Sequence, residues 1–142
     1  MKVKLLLIVT IFLMFQFILI TLPDAKQAAS KSGADLIIEL IKQKKAGEVV
    51  LFMDNSLKLT LIHENRVMTG QDAVKESESN LKWIMKRFRE VKKISNREIE
   101  VLGTYFEGNE EMWQSRLMIL FIEEKNGKTV IKEIKLEVGG MG

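Results

Sequence analysis

The chain of 142 residues contains no cysteine, one proline, one histidine and one tyrosine. Without cysteine it has no disulfide, no thiolate zinc site, no iron–sulfur cluster and no cysteine nucleophile. A lipoprotein-type attachment is excluded for the same reason. From residue 23 onward there is no Asn-x-Ser/Thr acceptor, so glycosylation gives no hint of the compartment. The body also lacks an excess of charge of one sign. The 22 Lys+Arg exceed the 19 Asp+Glu by three, and Lys2 and Lys4 supply two of those three, leaving 20 against 19. The pI of about 9.1 therefore rests on a near-neutral body. A strongly basic nucleic-acid binder shows an excess and clustering of Lys/Arg, so no nucleic-acid partner is expected. The composition excludes a disordered chain, a collagen and a multi-span membrane protein, and the length supports one domain.

Hydrophobic residues are unevenly spread. Residues 1–22 hold 17 of them, interrupted by Lys2, Lys4, Thr10, Gln16 and Thr21. At 46% of 142 the chain has about 65, so the other 120 residues carry about 48, or about 40%. Lys2 and Lys4 followed by the apolar run Leu5–Leu22 have the basic start and apolar centre of a signal peptide. As an anchor, the run reaches about 27 Å at roughly 1.5 Å per residue, just enough to span a bilayer. Cleavage after Ala25 puts Pro23 at −3 and cleavage after Ala29 puts Gln27 there, so neither gives small residues at both −3 and −1. Both readings stay open, and both place the rest of the chain outside the cytoplasm, secreted or periplasmic if cleaved.

Residues 23–31 read as a connector. From Ala34, Leu36, Ile37, Leu40 and Ile41 have helical spacing, with Gly47 placed as a C-cap. Glu48–Met53 is a short apolar run before the turn residues Asp54-Asn55-Ser56. Leu57, Leu59 and Leu61 alternate as in a strand, and that parity carries His63 onto their face. Arg66–Thr69 reads as a second short strand. A helix capped by Asp72 or Thr69 follows, with Val74, Leu81, Ile84, Met85 and Phe88 as its apolar stripe. After Val91 the pattern is that of strands. Ile99, Val101, Gly103 and Tyr105 share one parity, and Met112–Ile122 ends almost continuously apolar. Asn126-Gly127 marks a hairpin. Val130, Ile134, Leu136 and Val138 form the inward set of the last strand, broken by Lys132. Residues 139–142 read as a frayed tail. The element order predicts an α+β arrangement: an antiparallel sheet with helices on one face, bent at Gly103.

In two stretches the chain resembles the nuclear transport factor 2-like superfamily, also called SnoaL-like or ketosteroid-isomerase-like. Lys45–Asn55 is similar to that family's turn and short helix before the first strand. Val67–Val74 is similar to its Gly-x-x-Ala-Ile entry into the third helix, and the strand meander follows in order. The resemblance covers residues 32–138. It implies a strongly curved antiparallel sheet forming a cone, closed by about three helices and commonly dimeric through the open sheet face. The family contains isomerases, dehydratases, transport adaptors and non-catalytic binding domains, so the fold names no reaction.

His63 and Tyr105 are the candidate catalytic residues, a general base near the cone's mouth and a hydrogen-bond donor to a carbonyl. The steroid isomerases of this family place a tyrosine on the first helix, but residues 24–46 contain none. No acid other than Glu107 shares the Ile99/Val101/Tyr105 parity. Structural roles are favoured for both. Asp54 and Asp72 read as turn and cap residues. Arg116 either binds an acidic ligand in a pocket or, the favoured reading, pairs with carboxylates on the other sheet face. Trp113, with His63, Tyr105 and Arg116, completes the ligand-binding candidates. Trp83, Met118 and Leu120 are the interface candidates, since the apolar Met112–Ile122 strand needs cover on both faces. The basic set Lys82, Lys86, Arg87, Arg89, Lys92 and Lys93 reads as a solvated face, or as a contact with anionic lipid if the anchor is retained. One histidine without cysteine makes no metal site, and no cofactor is expected.

The expected function is thus a non-catalytic extracytoplasmic domain. It binds a small apolar ligand or a protein partner and forms a homodimer. The alternatives are an isomerase- or lyase-like enzyme using His63 and Tyr105, and a membrane-anchored subunit of a secretion-type assembly held by residues 5–22.

Overall fold

The computed structural model describes residues 31–107 and 110–137, and their side chains except at 105–107 and 110–115. The candidate signal or anchor, most of the connector and the tail lie outside the described residues. A compact unit begins at Ser32. Its elements run α1 (Gly33–Lys42), α2 (Ala46–Val50), β1 (Met53–Leu61), β2 (Arg66–Thr69), α3 (Gln71–Ile84), β3 (Phe88–Ser95), β4 (Glu98–Glu107), β5 (Glu110–Lys125) and β6 (Lys128–Leu136).

The strands form one curved, unclosed six-stranded sheet in the order β2-β1-β6-β5-β4-β3. The expected antiparallel sheet is in fact mixed: β1 and β6 run parallel, and the other neighbours antiparallel. The alternating pattern of a strand fixes which face it buries, not which neighbour it meets, so this pairing left no local trace. Two rows of side chains cross the inner face. Leu59, Ile134, Leu120 and Ile99 stand in register across β1, β6, β5 and β4, as do Leu61, Leu136, Met118 and Val101. All eight are buried. The helices cover this face: α1 packs on β3 and β4, α3 on β1 and β2, and α2 lies against both helices. Ile37 and Ile41 of α1 and Leu81 and Ile84 of α3 fill the space between. Burial of each such side chain contributes about 1.5–3 kcal/mol.

Ser32 caps α1: its hydroxyl accepts from the Asp35 backbone N–H, and the Asp35 carboxylate accepts from the Ser32 N–H. Gly47 is not the cap. α1 ends at Lys42, Lys44 takes the left-handed turn at φ 60°, and Gly47 sits inside α2. Neither Asp72 nor Thr69 caps α3. Its N-cap is Gly70 at φ 75°, with no side-chain cap bond.

α3 is shorter than its apolar stripe predicts. It ends at Ile84, and Phe88 opens β3, the outer strand beyond β4. Phe88 and Val91 continue to touch the core from the strand, which made them look helical in sequence. The inward set of β6 also changes. Phe121 faces Glu133 while Ile122 faces Ile131, so Lys132 is an extra, exposed residue at a bulge. The bulge switches the parity, burying Ile131 in place of Val130. Asn126 and Gly127 both have positive φ, 53° and 73°, as a tight hairpin requires.

Ser77 and Asn80 are the buried polar residues among those described. The Asn80 amide donates to the Glu76 carbonyl at 2.8 Å. Ser77 is 1% exposed, and its hydroxyl has no partner. A buried unsatisfied hydroxyl costs about 1–3 kcal/mol. Ser77→Ala should therefore raise stability by about 1 kcal/mol, read as a higher urea midpoint. A lower midpoint would mean that the hydroxyl is bonded in solution.

Candidate functional site

The sequence candidates do not gather in one place. β1 leaves the sheet after Leu61: the Ile62 N–H donates to the Leu136 carbonyl, and the chain turns through Asn65 at φ 49°. His63 lies in that turn, exposed, not on the inner Leu57-Leu59-Leu61 face. Strand parity placed it inside, but parity ends where the pairing ends. Tyr105 lies on β4 opposite Met112, near the β4–β5 hairpin end, and Trp113 follows on β5. The side chains of both are outside the described ones. β1 and β4 are three ladder steps apart, roughly 14 Å along the sheet at about 4.8 Å per step.

Met118 and Leu120 face the helices as core residues and are not available to a second chain. The outward neighbours on β5 are Ile119 and Phe121. At Ile119 and Phe121 part of the cover on the outer face comes from within the chain. Ile119 is 6% exposed between Glu100 and Lys135, and the Lys135 ammonium sits 5.1 Å from the Phe121 ring centroid. Beside them Arg116 bridges two carboxylates on the outer face. It donates to Glu137 from Nε at 2.8 Å and to Glu100 from Nη1 at 3.0 Å. Those two acids, Glu137 foremost, hold the guanidinium pKa above its ordinary value. Trp83 is half-buried against the core rather than on a purely polar face, and the Arg87 guanidinium lies over its ring at 4.2 Å.

Among the ion pairs that tie distant elements together, those of Asp35 and Asp54 carry shifted carboxyls. Asp35 on α1 accepts from Lys93 on β3 at 3.0 Å, and Asp54 on β1 pairs with Lys125 at the β5–β6 turn at 3.3 Å. Both carboxyls are held below their ordinary pKa, Asp35 by the Ser32 hydroxyl and then Lys93, Asp54 by the Ser56 hydroxyl and then Lys125. A folded pKa below the unfolded one gives stability that is present above the unfolded value near 4 and lost as the pH falls through the folded value. The melting temperature should therefore drop below about pH 4, and less steeply in the Asp35→Asn/Asp54→Asn chain. Equal acid slopes in the two chains would contradict this.

Among the described residues, surface cavities of about 440 Å³ lie at two places. One adjoins the start of α1 and is lined by polar and apolar surface in equal measure; its Lys132 and Glu123 pair at 3.7 Å, and Glu124 accepts from Thr129 at 2.6 Å. The other is a mainly apolar groove between α1 and α2, where Leu36, Leu40, Leu51 and Phe52 form the wall. Leu36 and Leu40 lie one turn apart on α1 beside the buried Ile37 and Ile41, with Leu40 half-buried against the core. Leu51 follows α2 and is 82% exposed, and Leu36 is 41% exposed. Helical spacing groups Leu36 and Leu40 with Ile37 and Ile41. Leu51 lay in an apolar run too short for any periodicity to set its face. Among the described residues no group of His, Asp or Glu is placed to hold a metal, and no helix is long and apolar enough to cross a membrane.

No protein-family profile and no curated protein matches the chain. Among solved structures it is similar to a DUF4783 family protein from Bacteroides fragilis, at 15% identity over 70% of this chain and 92% of that one, TM-score 0.41. It is also similar to a de novo designed protein with a curved β-sheet, at 17% identity over 74% and 96%, TM-score 0.45. A designed protein of the nuclear transport factor 2 type is 14% identical over 80% and 96%, TM-score 0.43. The likeness concerns the fold alone. The element order and the curved sheet closed on one face by helices are those of the nuclear transport factor 2-like fold.

Proposed function

We propose that the chain is a non-catalytic binding domain, held outside the cytoplasm, that engages an apolar group of a small ligand or of a partner protein. The observation that carries this reading is the α1–α2 groove, whose Leu36 and Leu51 stay in water while the inner face of the sheet, among the described residues, is filled by its own side chains. An apolar concavity with a few polar groups at its rim, here Glu39, Gln43 and Glu48, suits such a ligand. The basic start and apolar run of residues 1–22 support the location. The mass of the mature N-terminus tests that location: a start near Asp24–Ser30 means secretion, and an intact Met1 an anchored chain. The place of His63 in an exposed turn, off the inner face, supports the non-catalytic reading.

The groove is tested with the apolar dye Nile red. Each leucine contact is worth about 1.5–3 kcal/mol when fully buried, so Leu36→Glu/Leu51→Glu should weaken binding at least about tenfold with the fold intact by circular dichroism. Unchanged affinity in that variant would place the site elsewhere.

A further inference from the structure

We propose that the basic face made by the end of α3 and strand β3 docks on anionic phospholipid headgroups. From Ser32 onward the sequence has 18 Lys+Arg and 18 Asp+Glu, yet residues 82–93 hold six cations against one acid, Glu90. A neutral domain thus concentrates a charge of +5 along the end of α3, the turn after it and the edge strand β3, where Lys92 stands on the outer face opposite Glu100 and Lys93 on the helix side opposite Ile99. Pairing absorbs part of it: Lys82 meets Glu78 at 3.1 Å, Lys93 meets Asp35 at 3.0 Å, Lys92 meets Glu90 at 4.0 Å, and Arg89 is engaged as well. Lys86 and Arg87 have no carboxylate partner among the described residues, and both are exposed. Arg87 is stacked on the half-buried Trp83, so cations and an indole edge share one surface. Cations that meet phosphate, beside an indole that sits at headgroup depth, are the chemistry of a membrane-facing surface. Cations at the end of α3 also suit the helix dipole, but Arg89, Lys92 and Lys93 belong to β3, which has none.

The placement of β3 points the same way. The Lys93 ammonium reaches the Ser32 hydroxyl at 3.3 Å, so the basic strand lies beside the residue at which the folded unit begins. Residues 23–32 connect that point to the apolar run 5–22, and ten residues reach at most about 33 Å. With the run in a bilayer, the tether enters the domain next to its basic strand. The inference rests on that membrane reading of residues 5–22 and goes beyond the groove.

The test uses the full chain carrying Trp113→Phe, which leaves Trp83 as the single tryptophan. Its emission and iodide quenching are compared on phosphatidylcholine vesicles and on vesicles that also contain phosphatidylglycerol. With the anionic lipid, Trp83 emission should shift to the blue and iodide quenching should fall several-fold. Salt near 1 M, where screening acts within about 3 Å, should reverse both, and Lys86→Glu/Arg89→Glu should abolish them. Identical Trp83 spectra on the two vesicles, or a shift that survives in the Lys86→Glu/Arg89→Glu chain, would overturn the proposal. So would an equal shift produced by heparin without lipid. Flotation with phosphatidylcholine alone reports separately on residues 5–22: a chain that does not float refutes the anchor, while the Trp83 comparison still decides the basic face.

Discussion

Replacing Gly103 by valine should destabilise the domain by about 3 kcal/mol. Gly103 lies on β4 between Phe88 of β3 and Ser115 of β5. A Cβ there would stand 2.6 Å from the Arg87 carbonyl oxygen, 2.6 Å from Leu117 Cδ1 and 3.0 Å from the Phe88 Cα. Two of those three atoms are backbone, so relief requires the start of β3 to move. Irregular pairing on both sides of Gly103, between Val101 and Leu102 and between Gly103 and Tyr105, marks the same bend. Gly103→Ala should show a smaller loss in the same direction. A Gly103→Val chain with an unchanged urea midpoint would mean that β3 is not seated on β4 in solution.

Leu120→Asp should leave the chain unfolded. Leu120 is fully buried between Ile99 and Ile134, and a carboxylate there would have no partner. The expected loss, more than about 4 kcal/mol, is comparable to the whole stability of a small domain. Phe121→Asp, one residue away on the outer face, should lose the Lys135 contact but keep the fold. The pair separates core from interface by circular dichroism and sedimentation. A folded Leu120→Asp chain with an altered oligomeric state would return Leu120 to an interface.

The strands with clean alternation and the hairpin at Asn126-Gly127 were legible because their signals are local. Leu57, Leu59 and Leu61 bury as their spacing predicts, and the hairpin needs only two residues with positive φ. What failed was set by contacts distant in sequence. Phe88 sat at helical spacing from Ile84 and Met85 because β3 folds back over the same core. Lys132 shifted the parity of β6, which a fixed period of two cannot anticipate. His63 kept the parity of β1 but not its pairing. The continuous apolar run of β5 reads the same on either face, so Met118 and Leu120 exchanged places with Ile119 and Phe121. Arg116 was legible by contrast: a cation among apolar strand neighbours must turn outward to carboxylates, and Glu100 and Glu137 receive it. The groove was hidden for a different reason. Helical spacing identifies the apolar stripe of α1, but not how far α2 extends over it, so exposed Leu36 and buried Ile37 looked alike.

The groove is tested most directly by where a bound apolar probe sits. Amide chemical shifts of the isotope-labelled chain, titrated with Nile red, should move at Leu36, Leu40, Gln43, Leu51 and Phe52 and stay still at His63. Shifts centred on inner-face residues such as Leu59, Val101 and Leu120, or on His63, with α1 and α2 unmoved, would contradict the groove as the binding surface.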